Sequence, residues 1–333
     1  MYRTEYVQSV VRTRLLEKEL LSHVKFEQMV EASDVDEIWR ILHTTSYANL
    51  LQDKYYANEE FEYFLIDVLQ REYKHVYDLV HEAEYIQVLQ LKYDYYNAKV
   101  LIKENLLGDD LTNLYLPLGT ISIEQLKSGF EQEISDITNR LAEAIEETLF
   151  DYENYKDPQR IEILLDRRYL EHLYDKINLL NIPLFENYFQ AKVDFLNLLT
   201  LLRVRKQHRN LDFLEEVLLP YGSIEREKLM YSLNDSTRQL IRNYEHETIG
   251  TFLKRALEDY EQTGSIHSLE KEMDHYLLQI IDDAKYIHFG PEPLMAYILK
   301  KEAEIKNLRI VFMSKLNKIS VENINQRMRD VYV

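Results

Sequence analysis

The sequence is poor in the residues that often build compact chemical sites. It contains no cysteine, a single tryptophan, six prolines and seven glycines among 333 residues. The absence of cysteine excludes disulfides, thiolate metal sites and cysteine nucleophiles. The glycines are isolated, and no Gly-x-Gly or Gly-Lys-Ser/Thr occurs, so the loop that cradles phosphates in nucleotide-binding proteins is missing. We predict neither a nucleotide site nor any other cofactor site.

Charge and hydropathy exclude further classes of protein. Fifty-eight acidic residues against forty basic ones give a formal net charge of −18, which repels nucleic-acid backbones and anionic lipid headgroups over most of the surface. The longest uncharged apolar stretch in the repeated motifs described below runs from Phe195 to Leu202, whereas a membrane-spanning helix needs about 20 apolar residues. The sequence predicts no nucleic-acid binding and no membrane span.

One phrase occurs twice in the chain. Residues 116–126 read LPLGTISIEQL, and residues 219–229 read LPYGSIEREKL, 103 positions later. The turn residues of the two copies are Pro117, Gly119, Pro220 and Gly222. Because proline and glycine are scarce here, a repeated Pro-x-Gly turn followed by a polar residue marks a boundary between like units. The boundaries divide the chain into units 1–115, 116–218 and 219–333.

A second motif recurs with nearly the same period. An acidic residue stands three positions before an asparagine, and an apolar run follows, in three places spaced 100 and 110 residues apart. The three pairs are Asp94 and Asn97, Asp194 and Asn197, and Glu304 and Asn307. A period near one hundred residues is too long for a solenoid repeat, so each unit should be a small helical domain.

Apolar spacing is helical through most of the chain. Ile134, Ile137, Leu141, Ile145 and Leu149 recur every three or four residues, which is typical of an amphipathic helix. Breaks are predicted at Gly108, Asp157-Pro158, Asn181 to Pro183, and Gly290 to Pro293, because glycine ends helices and the residue before proline avoids the α region. We predict an all-α protein of three units that pack together without flexible tethers.

The repeated acid-x-x-Asn pairs favour a structural role over a catalytic one. Residues three apart share one face of a helix, and the apolar run that follows turns this face partly inward. We interpret each pair as a hydrogen-bonding device inside its own domain that fixes helix register. A catalytic carboxylate would not need to recur in every unit.

Metal chemistry is a competing hypothesis with little support. Asp109-Asp110 and Asp282-Asp283 resemble the acidic motifs of helical enzymes that bind magnesium and diphosphate, but neither has a third carboxylate one turn later. We interpret both as turn and cap residues and predict no metal site. A Ser-His-Asp triad converges only in space, and the sequence nominates none.

One basic cluster stands out in this acidic chain. It lies in the sequence LLRVRKQHRN and contains Arg203, Arg205, Lys206 and Arg209. Such cations complement the dipole at the C-terminal end of a helix, which is the structural interpretation. The functional alternative is a docking patch for an acidic partner.

Several stretches resemble the C-type subunit of V-type and A-type ATPases, which is related to the d-type subunit of the eukaryotic V-ATPase. The clearest is Phe289-Gly290-x-x-Pro293-Leu294-x-x-Tyr297-x-x-x-Lys301-Glu302-x-Glu304-Ile305-x-Asn307-Leu308-Arg309-Ile310. Leu91-x-Tyr93-Asp94-x-x-Asn97-x-Lys99-x-Leu101-x-Lys103 and the opening Tyr6-x-x-x-x-Val11-Arg12-x-Arg14-x-x-Glu17-x-x-Leu20-Leu21 agree with it. The likeness spans nearly the whole chain.

The resemblance implies a funnel of three similar helical domains around a pseudo-threefold axis. A funnel of this kind would rest peripherally on the cytoplasmic face of the membrane, with its base on the rotor ring and the end of the central shaft in its cup. It would catalyse nothing and would transmit torque between shaft and ring. The net charge of −18 agrees with attachment through protein contacts instead of lipid.

The sequence leaves two other classes open. A generic all-α interaction scaffold would keep the repeats without binding rotor subunits, and an all-α metal-dependent enzyme would be stabilised by magnesium. The sequence does not distinguish protons from sodium as the transported ion, or hydrolysis from synthesis.

Overall fold

The chain folds into helices joined by short loops. The computed structural model describes residues 3–131 and 139–329, and within these ranges no residue lies in a β-strand. The α-helices of the described residues are α1 Val7–Glu17, α2 His23–Glu31, α3 Val35–Leu42, α4 Ala48–Asp53, α5 Phe61–Tyr77, α6 Glu84–Leu107, α7 Ile123–Glu131, α8 Asn139–Tyr155, α9 Pro158–Leu180, α10 Pro183–Lys206, α11 Leu211–Val217, α12 Arg226–Tyr231, α13 Thr237–Tyr244, α14 Gly250–Thr263, α15 His267–Asp282, α16 Glu292–Leu316 and α17 Val321–Arg327. The all-α prediction is confirmed.

Helix ends fall at the predicted breaks. Gly108 adopts a left-handed conformation with φ of 69° and ends α6. The side chain of Asp157 accepts from the N–H of Gln159 and caps α9, whose first residue is Pro158. Proline suits the first position because its missing N–H would have no helical partner there.

The amphipathic stripe of the second unit is confirmed where it can be checked. Leu141 and Ile145 are buried in α8, and Leu149 packs against the core. Ile134 and Ile137 lie outside the described residues.

Three long helices carry the acid-x-x-Asn pairs, namely α6, α10 and α16. Each packs closely along another helix, with α6 against α9, α10 against α15, and α16 against α5. Each packing partner directly precedes another of these three helices in the chain. Helix α9 precedes α10, α15 precedes α16, and α5 precedes α6. The three pairings are therefore related cyclically, and α16 returns to the first part of the chain.

Buried apolar side chains of the described residues form two clusters that meet at α10. Phe189 and Val193 belong to the larger cluster, which also includes side chains of α5, α6 and α16. Phe195 and Leu198 belong to the smaller one, built with α11 to α15. A helix shared between two cores holds them in fixed relation, since close-packed interiors resist deformation.

Candidate functional site: three latch-bearing helices around a cavity

The two repeated motifs bind each other. Asn97 on α6 donates to the carbonyl oxygen of Leu116 at 2.8 Å and accepts from the N–H of Leu116 at 2.9 Å. The Asp94 carboxylate accepts from the Thr120 hydroxyl at 2.7 Å and from the N–H of Ile121 at 3.0 Å. The pair therefore holds both ends of the Leu-Pro-x-Gly loop, and we call this arrangement latch 1.

Latch 2 repeats the arrangement on α10. Asn197 donates to the carbonyl oxygen of Leu219 at 3.0 Å and accepts from its N–H at 2.8 Å. Asp194 accepts from the hydroxyl and N–H of Ser223 at 2.5 and 3.1 Å, and from the N–H of Ile224 at 2.9 Å. Serine replaces threonine, so the hydroxyl donor is kept.

Latch 3 on α16 has the same pattern, but its two halves come from opposite ends of the described chain. Asn307 donates to the carbonyl oxygen of Arg329 at 3.2 Å and accepts from its N–H at 2.9 Å. Glu304 accepts hydrogen bonds from the N–H of Leu21 and from the Tyr47 hydroxyl. Three separate segments thus take the place of the third loop: the residues before α2, the residues before α4 and the residues after α17.

Glycine is required where the latch carboxylates approach the loop. A Cβ atom on Gly119 would overlap Oδ1 of Asp94, and a Cβ on Gly222 would overlap Oδ1 of Asp194. The two glycines leave room for a carboxylate to lie directly against the backbone.

Burial alters the titration of these carboxylates. Desolvation raises the pKa of Asp94 and of Asp194 above the ordinary value, although the hydrogen bonds donated by their loops act in the opposite direction. The effect of burial is the larger of the two.

The latches differ from the predicted device in one respect. Hydrogen bonds of latch 1 cross the boundary at 115/116, and those of latch 2 cross the boundary at 218/219. The prediction that each pair forms its hydrogen bonds inside its own unit was therefore wrong, because the bonds join residues of two predicted units. Both repeated motifs were visible in the sequence. That they bind each other was not, because the Leu-Pro-x-Gly loop contacts the acid-x-x-Asn pair only after it folds back along the helix that carries the pair.

A cavity of about 450 Å³ lies where the three long helices converge. Its lining includes residues of α5, α6, α10, α15 and α16, together with Leu116 and Leu118 of the latch 1 loop. Side chains of all three latch-bearing helices therefore line one concave feature.

Charged side chains line this cavity at equivalent positions of the repeat. Lys92, Lys192 and Glu302 each stand two residues before the acid of a latch, and all three are partly buried. Lys92 forms an ion pair with Glu302, which also accepts hydrogen bonds from Tyr73 at 2.7 Å and Tyr93 at 2.8 Å. Sequence reasoning missed these residues, although each is charged and stands at the same position relative to its acid-x-x-Asn pair, a regularity that could have identified them.

The basic cluster predicted from the sequence does lie at one helix end. Arg203, Arg205 and Lys206 occupy the last turn of α10. Arg203 forms an ion pair at 3.2 Å with a glutamate of α15, and the Arg209 guanidinium lies 5.0 Å from the centre of the Phe213 ring. One terminal nitrogen of Arg205 is buried without a hydrogen-bond partner among the described residues. Arg203, Arg205 and Lys206 therefore lie at the negative end of the dipole of α10, where the structural interpretation places them.

The acidic doublets take local structural contacts. Asp110 accepts from the N–H of Thr112 at 3.0 Å in the turn after α6, and Asp282 at the end of α15 pairs with Lys285 at 2.7 Å. Within residues 3–131 and 139–329, no group of three or more histidines and acids is placed to hold a metal ion. Over the same ranges, no helix combines the length and apolar character needed to cross a bilayer.

The described residues thus form an all-α protein in which three long helices each latch a separate segment and together line one cavity. The sequence matches the ATP synthase (C/AC39) subunit family over residues 9–327, and the chain is a member of that family. The resemblance noted in the sequence is thereby confirmed.

Relatives of known family include the C-type subunit of the V-type sodium ATPase of Enterococcus hirae, which is 29% identical over 95% of both chains. The corresponding C-type subunit of the A-type ATP synthase of Methanocaldococcus jannaschii is 24% identical over 96% of this chain and 84% of its own. That of the A-type ATP synthase of Thermococcus kodakarensis is 24% identical over 92% of this chain and 85% of its own.

Proposed function

We propose that this chain is a non-catalytic rotor adaptor of a V/A-type rotary ATPase. It would join the central shaft to the membrane rotor ring and pass torque between them during ion transport or ATP synthesis. The observation that carries this proposal is that the three latch-bearing helices α6, α10 and α16 pack cyclically and line one cavity. A chain closed in this way, in a family of ATP synthase subunits, is suited to holding an axial partner.

Stiffness supports the proposed role. Helices pack across the boundaries at 115/116 and 218/219, and the latches hold the connecting loops at each of them. A torque coupler must rotate as one body, and close packing with broad contacts supplies that property. We propose that the three units 1–115, 116–218 and 219–333 surround a pseudo-threefold axis as a funnel, with the central cavity as its cup.

The proposed partners are the shaft subunits in the cup and the rotor ring at the base. The adaptor would sit on the cytoplasmic face of the membrane, held by protein contacts, since a chain of net charge −18 is repelled by anionic lipid. Strong binding of the isolated chain to anionic liposomes without ring subunits would contradict this mode of attachment.

Binding to the shaft subunits provides the first test, and it includes the basic cluster. Isothermal titration should show that the wild-type chain binds the purified shaft pair. If the cluster is a docking patch, replacing Arg203, Arg205 and Arg209 by glutamate should weaken this binding at least tenfold, because reversed charges repel an acidic surface.

A matched control reverses exposed cations elsewhere, in the double variant Arg238→Glu with Lys254→Glu, and should bind as the wild type does. Unchanged affinity in the cluster variant would discard the patch and leave the adaptor role standing. Failure of the wild-type chain to bind the shaft pair would contradict the role itself.

A further inference from the structure

Lys192 is the one lysine of the central cavity that lacks a direct partner within the described residues. Its ammonium makes no hydrogen bond or ion pair there, although the side chain is partly buried on α10. Burial, with Lys92 as the next largest influence, lowers its pKa to about 8, against the attraction of Glu302 and Asp274. Its charged form is poorly satisfied by the chain alone.

The carboxylates around Lys192 are already engaged by other cations. Glu302 is held by Lys92. Asp274 on α15 lies 2.5 Å from Lys306 and 2.8 Å from Arg329. The remaining charged residue of the lining, Arg309, pairs outside the cavity with a glutamate of α5 at 2.8 Å. Five cations and two acids therefore line the cavity, and the cations still outnumber the acids when Glu62 and Glu270, which pair with Arg309 and Arg329 from outside the lining, are counted.

The other side of Lys192 offers no free acid either. It faces a groove that also contains Glu162 and Asp166 of α9. Lys99 lies 2.8 Å from Glu162 and 2.6 Å from Asp166, and Lys103 also binds Glu162. Both carboxylates are thus neutralised from α6, and the third acid of the groove, Glu216, pairs with Arg160 at 2.6 Å.

An occupant of the cavity would exclude water from the ammonium of Lys192. A buried ammonium without an acceptor is strongly unfavourable, whereas a carboxylate partner satisfies it. We propose that the end of the shaft that fills this cavity presents an aspartate, a glutamate or a terminal carboxylate to Lys192. The inference rests on the proposed function and specifies the chemistry of the partner at that site.

Titration of three variants with the purified shaft pair tests the pairing. Lys192→Met should weaken binding at least tenfold, Lys192→Glu should weaken it further, and Lys192→Arg should retain binding because the charge is kept. The control Lys254→Met, at an exposed position, should bind as the wild type does. Melting temperatures of each variant verify that the fold is intact.

Proton uptake on binding distinguishes a carboxylate pairing of Lys192 from a purely structural role of this residue. A carboxylate raises the pKa of its partner lysine, so at pH 8 the wild-type chain should take up protons on binding, and Lys192→Met should take up fewer. Calorimetry in buffers of different ionisation enthalpy measures this uptake. Equal affinity and equal proton uptake of wild type and Lys192→Met would overturn the pairing, whereas loss of shaft binding by the wild type would instead refute the proposed function.

Discussion

Replacing Glu304 by alanine is expected to lower the free energy of unfolding by about 4 kcal/mol, since removing one member of a buried ion pair leaves the other charge unpaired. Lys301 is that other member, at 2.8 Å and with 2% of its side chain exposed. The same substitution removes the acceptor for the N–H of Leu21 and for the Tyr47 hydroxyl. Urea unfolding followed by circular dichroism measures the loss.

The double variant Glu304→Gln with Lys301→Met provides the control for this effect. It removes both charges while leaving an amide oxygen that can accept from the N–H of Leu21 and an amide NH2 that can donate to the Tyr47 hydroxyl, so it should lose much less stability than Glu304→Ala. Hydrogen exchange at the amide of Leu21 should accelerate in Glu304→Ala and stay near the wild-type rate in the double variant. A Glu304→Ala protein within about 1 kcal/mol of wild type would show that latch 3 does not hold the chain together.

Replacing Asp194 by alanine should cost about 3 kcal/mol of stability, because buried donors are left without an acceptor. Ser223 and Ile224 both donate to this carboxylate, and the side chain of Ile224 is buried. Asp194→Asn should cost less, since an amide oxygen can still accept from Ile224. Equal melting temperatures for wild type and Asp194→Ala would count against the latch.

The Asp194→Asn variant also separates the effect of charge by its pH dependence. Burial raises the pKa of Asp194 above 3.8 in the folded chain, so the folded protein holds this proton more tightly than the unfolded chain does. The resulting stability is present below the ordinary pKa and is lost as pH rises through the raised value. The stability of wild type relative to Asp194→Asn should therefore fall over this pH window, and a constant difference would contradict the assignment.

Local structure was predictable from the sequence because its signals are local. Gly108 ends α6 and Pro158 begins α9, as their backbone preferences require. The residues of latches 1 and 2 were also found, since acid-x-x-Asn and Leu-Pro-x-Gly are written in the sequence as repeats.

What the sequence hid was the pairing between distant segments. Leu21 and Glu304 are 283 positions apart, and the segment around Leu21 carries no Pro-x-Gly turn that would mark it as the missing half of latch 3. Lys192 was not predicted for a similar reason. A lysine on a helix is usually solvated, and only the packing of the other long helices shows that this one lines a cavity. Such contacts come from tertiary closure and have no short-range pattern.

The proposed transmission of rotation is tested most directly by ATP-driven ion transport in membrane vesicles that carry the complex with or without this chain. ATP hydrolysis and uptake of both protons and sodium would be measured on the same vesicles. Without the chain, we expect hydrolysis by the catalytic head to continue while transport falls to the level seen without ATP, and added wild-type chain should restore it. Full transport per ATP in vesicles that lack the chain would contradict the role of rotor adaptor.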